Sequence, residues 1–174
     1  MPIATCSPQN FDLVKSYGAE QVFDYHSSTC ADEIRAYTKN SLKYALDCIT
    51  TLSTMLLCYK AIGRLGGFYT ALELPPQLPG LRKSVKQDWV MAQTLFGKEV
   101  ALSDGYHHEP NEAHVKFGLE WAKIVQDMMN QGELKSHPVR ILEGRFDGIM
   151  AGLDILREGK ISGQKLVCFI GDTE

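Results

Sequence analysis

At 174 residues the chain is long enough for one domain, two at most, and for a core that removes roughly 70% of its unfolded surface from water. A net charge of −3 with 22% charged residues gives no electrostatic footprint for nucleic acid or an anionic membrane. No apolar run approaches the roughly 18 residues of a membrane span, and no basic segment followed by an apolar stretch marks a secretory leader.

The chain opens with a short apolar strand, Ile3 to Cys6. Ser7-Pro8-Gln9-Asn10 starts a helix carrying Phe11, Leu13, Val14 and Tyr17 at helical spacing, and Gly18 closes it. Gln21 to Tyr25 reads as the next strand, and Ser27 to Thr29 caps a helix with Ile34 and Tyr37. Tyr44 to Ile49 is near-continuous in apolar residues, as buried parallel strands are. Thr51 to Ile62 is a helix, and Gly63 to Gly67 turns the chain into the strand Phe68 to Leu72. The rhythm then stops, because Pro75, Pro76, Pro79 and Gly80 exclude regular structure. Residues 72–111 read as a loop-rich insertion with a strand at Trp89 to Phe96 and a polar loop at Ser103 to Asn111. Glu112 to Gln131 is the longest helix, and Gly132 fits its C-terminal cap. The extended piece Pro138 to Leu142, a helix Phe146 to Arg157 and a strand Lys165 to Ile170 finish the chain.

Strands alternating with helices imply parallel βαβ units with right-handed crossovers. The expected fold is α/β, an incomplete Rossmann-like parallel sheet with helices on both faces, in a single domain over residues 1–174. The five cysteines are odd in number and lack a C-x-x-C pair, so neither a disulfide framework nor a structural zinc site is read. Cys6, Cys48 and Cys168 lie in apolar strand patterns and are expected to be buried thiols. A reducing, cytoplasmic compartment follows.

The stretch Gly18-Ala19-Glu20-Gln21-Val22-Phe23-Asp24-Tyr25 resembles the medium-chain dehydrogenase/reductase superfamily. So do Gly63-Arg64-Leu65-Gly66-Gly67, Phe146-Asp147 through Leu153-Asp154, and Gly159 through Val167. Pro2 to Pro8, Tyr44 to Thr50 and Asp88-Trp89 resemble, within it, the trans-acting enoyl reductases of fungal polyketide pathways, of the lovastatin-pathway type. The resemblance implies a second domain, a barrel-like catalytic one, ahead of the Rossmann domain. It also implies a further central strand with a Gly-rich turn for the cofactor pyrophosphate. Both are expected to be missing, since the chain starts at the family's second Rossmann strand. Residues 138–174 match the segment that returns to that catalytic domain. A sheet without its central strand has open edges, so completion by dimerisation or strand re-pairing is expected, with a homodimer preferred.

The resemblance places the adenosine 2′-phosphate against Thr5, Ser7 and Asn10, with Tyr25 nearby. The plainer reading of Ser7 is a helix cap. Gly63 to Gly67 has no G-x-G-x-x-G spacing and follows a helix, so it reads as a turn rather than a phosphate cradle. His107 and His108 sit in a polar loop beside Asp104 and Glu109 and are candidate proton donors, or simply solvated residues. Two adjacent histidines point different ways, so no metal site is expected. Tyr69, Glu73, Asp88 and Trp89 flank the Pro-rich segment, which in the resembling family lies near the acyl pocket.

The preferred expectation is a cofactor-independent cyclase or isomerase acting on a linear polyene. Tyr69, Asp88, His107 and His108 would be its polar groups, with Phe68, Glu73 and Trp89 lining the pocket. The alternatives are an NADPH-dependent enoyl reductase working with a polyketide synthase and a non-catalytic synthase-binding module.

Overall fold

The computed structural model describes residues 2–171. They form two compact units, one from residues 2–22 with 127–171 and one from residues 23–126. Strands β1 (Ile3–Cys6) and β2 (Gln21–Asp24) pair as a two-stranded sheet, joined through a 3₁₀ turn at Pro8–Asn10 and helix α1 (Phe11–Ser16).

The unit of residues 23–126 is built on a parallel sheet in the order β3 (Tyr44–Asp47), β4 (Gly67–Ala71), β5 (Val85–Trp89). Tyr44 pairs with Phe68, and Phe68 with Lys86. Helix α3 (Leu52–Ala61) makes the crossover from β3 to β4, with α2 (Cys30–Tyr37) packed against it. A capping box starts α3: Thr54 N–H donates to Thr51 Oγ1, and Thr51 N–H to Thr54 Oγ1. Alternation along the strands sends Tyr69, Ala71 and Val85 to one face, where Met55, Tyr59 and Ile62 meet them in the core. The other face leaves Tyr44 and Leu46 more than half exposed, at 65% and 61%.

Strand β3 ends two residues earlier than its apolar run. Asp47 is buried, and its Oδ1 accepts the N–H groups of Ile49 and Thr50, which folds the chain into an Asx turn instead of a longer strand. The strand expected at Trp89 to Phe96 lies earlier: β5 ends at Trp89, and Ala92–Phe96 is a 3₁₀ helix closed by Gly97. Lys86-Gln87-Asp88 are polar because β5 is a sheet edge, and that hid the strand from an apolar pattern.

Helix α4 runs Glu112–Asn130. In the other unit β6 (Val139–Leu142) and β7 (Lys165–Cys168) pair in parallel, with α5 (Arg145–Arg157) as the crossover packed on both. Ser162 Oγ accepts hydrogen bonds from Gln9 and Asn10, and the Tyr17 hydroxyl donates to the Ser136 carbonyl, tying the N-terminal segment to the C-terminal one. No described helix is long and apolar enough to cross a membrane.

The expected burial of cysteines is corrected at Cys48, which is exposed because it lies in the turn that Asp47 creates. Cys6 and Cys168 are partly buried and Cys30 is buried. Burial, with Asp47 nearby, pushes the Cys58 thiol up to about 12, so it is not a nucleophile at neutral pH.

Candidate functional site

In parallel α/β sheets ligands approach the carboxyl ends of the strands. At the ends of β4 and β5 the chain gathers an aromatic and carboxylate group. The Trp89 ring lies 5.6 Å from Tyr106, edge on, and 5.4 Å from His108. Glu73, two residues past β4, accepts a hydrogen bond from the Tyr106 hydroxyl and another from Leu74 N–H. These two bonds, the Tyr106 one foremost, hold the Glu73 carboxyl below its usual range, and the same contact raises the Tyr106 phenol.

His108 is held by the backbone. It makes an isolated antiparallel bridge with Val100, N–H to carbonyl in both directions, at 2.9 and 3.1 Å. Its Nε2 is shut off from water and has no hydrogen-bond partner. A shielded polar atom of this kind costs free energy and calls for an explanation. Tyr106 was not among the residues singled out in the sequence. An aromatic residue inside the polar loop Ser103 to Asn111 was the available signal.

His107 turns elsewhere. Its Nε2 is 3.1 Å from Glu109 Oε1 and its Nδ1 is 3.9 Å from Glu99 Oε1, all three residues being exposed. One ligand atom of each of Glu99, His107 and Glu109 lies within 4.8 Å of the others, a grouping common among exposed acidic residues without an ion.

The remaining residues lie apart from this group. Tyr69 is fully buried and its hydroxyl donates to Asp47 Oδ2 at 3.0 Å. Burial first, then that bond, pushes its phenol far above the ordinary value, so its proton is held for structure rather than donation. Phe68 is at the opposite, amino-terminal end of the sheet, stacked on Tyr44 at 5.3 Å. Asp88 sits on the exposed sheet face, opposite Thr70, and accepts the Trp89 N–H.

Thr5 and Ser7 lie at the end of β1, and Tyr25 follows directly on β2. The Asn10 amide is committed to Ser162 Oγ at 2.9 Å. The Gly63–Gly67 turn offers no pyrophosphate cradle. Four of its five N–H groups are bonded: Gly63 to Leu42, Arg64 to Asn40, Gly66 to Gly63 and Gly67 to Ser84. The turn's bonded N–H groups do not fit the pyrophosphate of NADPH.

No protein-family model matches the chain. It is 51% identical over 171 residues to the trans-enoyl reductase phmE of Phaeosphaeria nodorum, covering 98% of this chain and 49% of that protein. It is 49% identical over 170 residues to the trans-enoyl reductase FSL5 of Gibberella zeae, covering 98% of this chain and 47% of that one. Among solved structures it is similar to the CurF ER cyclopropanase from the curacin A biosynthetic pathway, with a TM-score of 0.68 and 16% identity. The apo JamJ enoyl reductase gives a TM-score of 0.66 at 16% identity. Each of these two matches covers 96% of this chain and 47% of the other. These similarities bear out the resemblance: the chain is a relative of the fungal trans-enoyl reductases, Rossmann-like in fold, and spans about half the length of the curated relatives it matches.

Proposed function

We propose that the chain serves enoyl reduction in a fungal polyketide pathway, acting in trans on intermediates carried by a synthase in the cytoplasm. The observation that carries this reading is the 51% identity to a trans-enoyl reductase across 98% of the chain. NADPH, when bound, supplies the hydride for an alkene conjugated to a carbonyl. Thr5 and Ser7, at the end of β1, would hold its adenosine end. Trp89, Tyr106 and His108 form the wall that meets the acyl chain. The cyclisation expected from the sequence draws less support, because it leaned on Tyr69, which is committed to the core. We also propose that the chain taken alone self-associates through the uncovered face of its three-stranded sheet.

The test is co-expression with the partner synthase and mass analysis of the released polyketide. The expected result is a product with one alkene fewer, lost or misplaced on His108→Ala with KM raised. A product of unchanged saturation, cyclised instead, would overturn the reductase reading in favour of a cyclase.

A further inference from the structure

Opposite the carboxyl-end cluster, at the amino-terminal ends of β3, β4 and β5, lies an open depression of about 710 Å³. Lys39, Lys43, Arg64 and Lys86 line it, and no carboxylate does. None of these four side chains forms an ion pair among the described residues, although the whole chain carries a net charge of −3. Two of the cations are held in place: Lys43 Nζ lies 5.4 Å above the Tyr44 ring and Lys86 Nζ 5.6 Å above Phe68, and those two rings stack on each other. Leu65, 89% exposed, stands at the rim among them.

Two observations decide what such a place binds. A compact phosphate needs converging backbone donors, and four of the five N–H groups of the Gly63–Gly67 turn, all but that of Leu65, are already bonded within the fold. An apolar knob ringed by unpaired cations has the composition of a protein contact, with a dry centre and a charged rim. We propose that this depression docks an acidic protein surface, whose Asp and Glu side chains meet Lys39, Lys43, Arg64 and Lys86 around an apolar residue seated on Leu65. The inference is independent of the reductase reading, since its test reads binding and not turnover.

The probe is a fluorescently labelled helical peptide of glutamates flanking a central leucine pair, titrated with the full chain and followed by anisotropy. Binding is expected at about 50 mM NaCl and lost by about 300 mM, as screening shortens the reach of the charges. The double variant Lys43→Glu with Lys86→Glu should weaken it about tenfold or more, and Leu65→Ser should weaken it with the salt dependence unchanged. The variant Lys15→Glu with Lys116→Glu, which lies outside the depression, should bind as the parent does. Circular dichroism of each variant separates loss of binding from loss of fold, and Lys43→Gln with Lys86→Gln gives a milder second reading. Peptide affinity unmoved by the Lys43 and Lys86 changes, or no binding by the parent, would overturn the proposal. So would displacement of the peptide by inorganic phosphate at equal charge, which would make the site one for a compact anion.

Discussion

Asp47 accepts three hydrogen bonds on one buried carboxylate, from Ile49, Thr50 and Tyr69. Tyr69→Phe keeps the ring in the core but leaves Asp47 Oδ2 shielded and unpaired, so it should lower unfolding free energy by about 1–3 kcal/mol in urea melts. A loss indistinguishable from zero would mean that water reaches Asp47. The same corner sets an alkaline limit. Tyr69 and Cys58 both have folded values raised above their unfolded ones, and each favours the protonated, folded form. Their contribution is therefore full below about pH 9, the ordinary thiol value, and is lost as pH rises from there and the unfolded chain gives up protons. Melting temperatures measured from pH 8 upward should fall beyond about pH 9, and Cys58→Ala should make that fall shallower, with buried Cys30 and Tyr69 still contributing. From the sequence, Tyr69 was a donor candidate because an aromatic hydroxyl beside an irregular loop looks like a pocket. Its alternation partner Ala71, buried beside it, was the counter-signal.

Among the elements, the turn between α3 and β4 depends most sharply on its residue types. Gly66 has φ +86°, and a Cβ there would lie 2.0 Å from the Ser84 carbonyl oxygen, while one on Gly67 would lie 2.1 Å from that of Lys43. Gly66→Ala should therefore cost more than about 3 kcal/mol, a value reserved for strain and overpacking together. Calorimetric melting of the variant checks this, and a shift of only a degree or two would mean that the Ser84 segment gives way freely. Arg82 seals the same turn: Nη1 donates to the carbonyls of Tyr59 and Ile62, and Nη2 to that of Gly63. The strands and helices of the βα repeat were legible because apolar runs and glycine stops mark them. β5 was displaced because its edge position removes the apolar alternation. The Arg82 cap was invisible, since it joins residues about twenty apart through carbonyls that any sequence would present.

At the scale of the molecule, the fold class came through the periodicity and the family resemblance together, and the relatives bear out both. What periodicity did not carry was the site. The Trp89, Tyr106 and His108 group is assembled by a single backbone bridge between Val100 and His108 across a loop without repeat. The uncovered sheet face gives the remaining prediction. Leu46, 61% exposed beside Tyr44, is expected to anchor self-association of the isolated chain, so Leu46→Lys should lower the mass seen by sedimentation without lowering the melting temperature. An unchanged mass distribution would remove that face from the contact.

In the three-stranded sheet β4 has a neighbour on each side, while β3 and β5 each present an edge unpaired among the described residues. Amide protons of Phe68 to Ala71 should thus be the last to trade with deuterium, and they mark the stretch whose opening amounts to losing the whole unit.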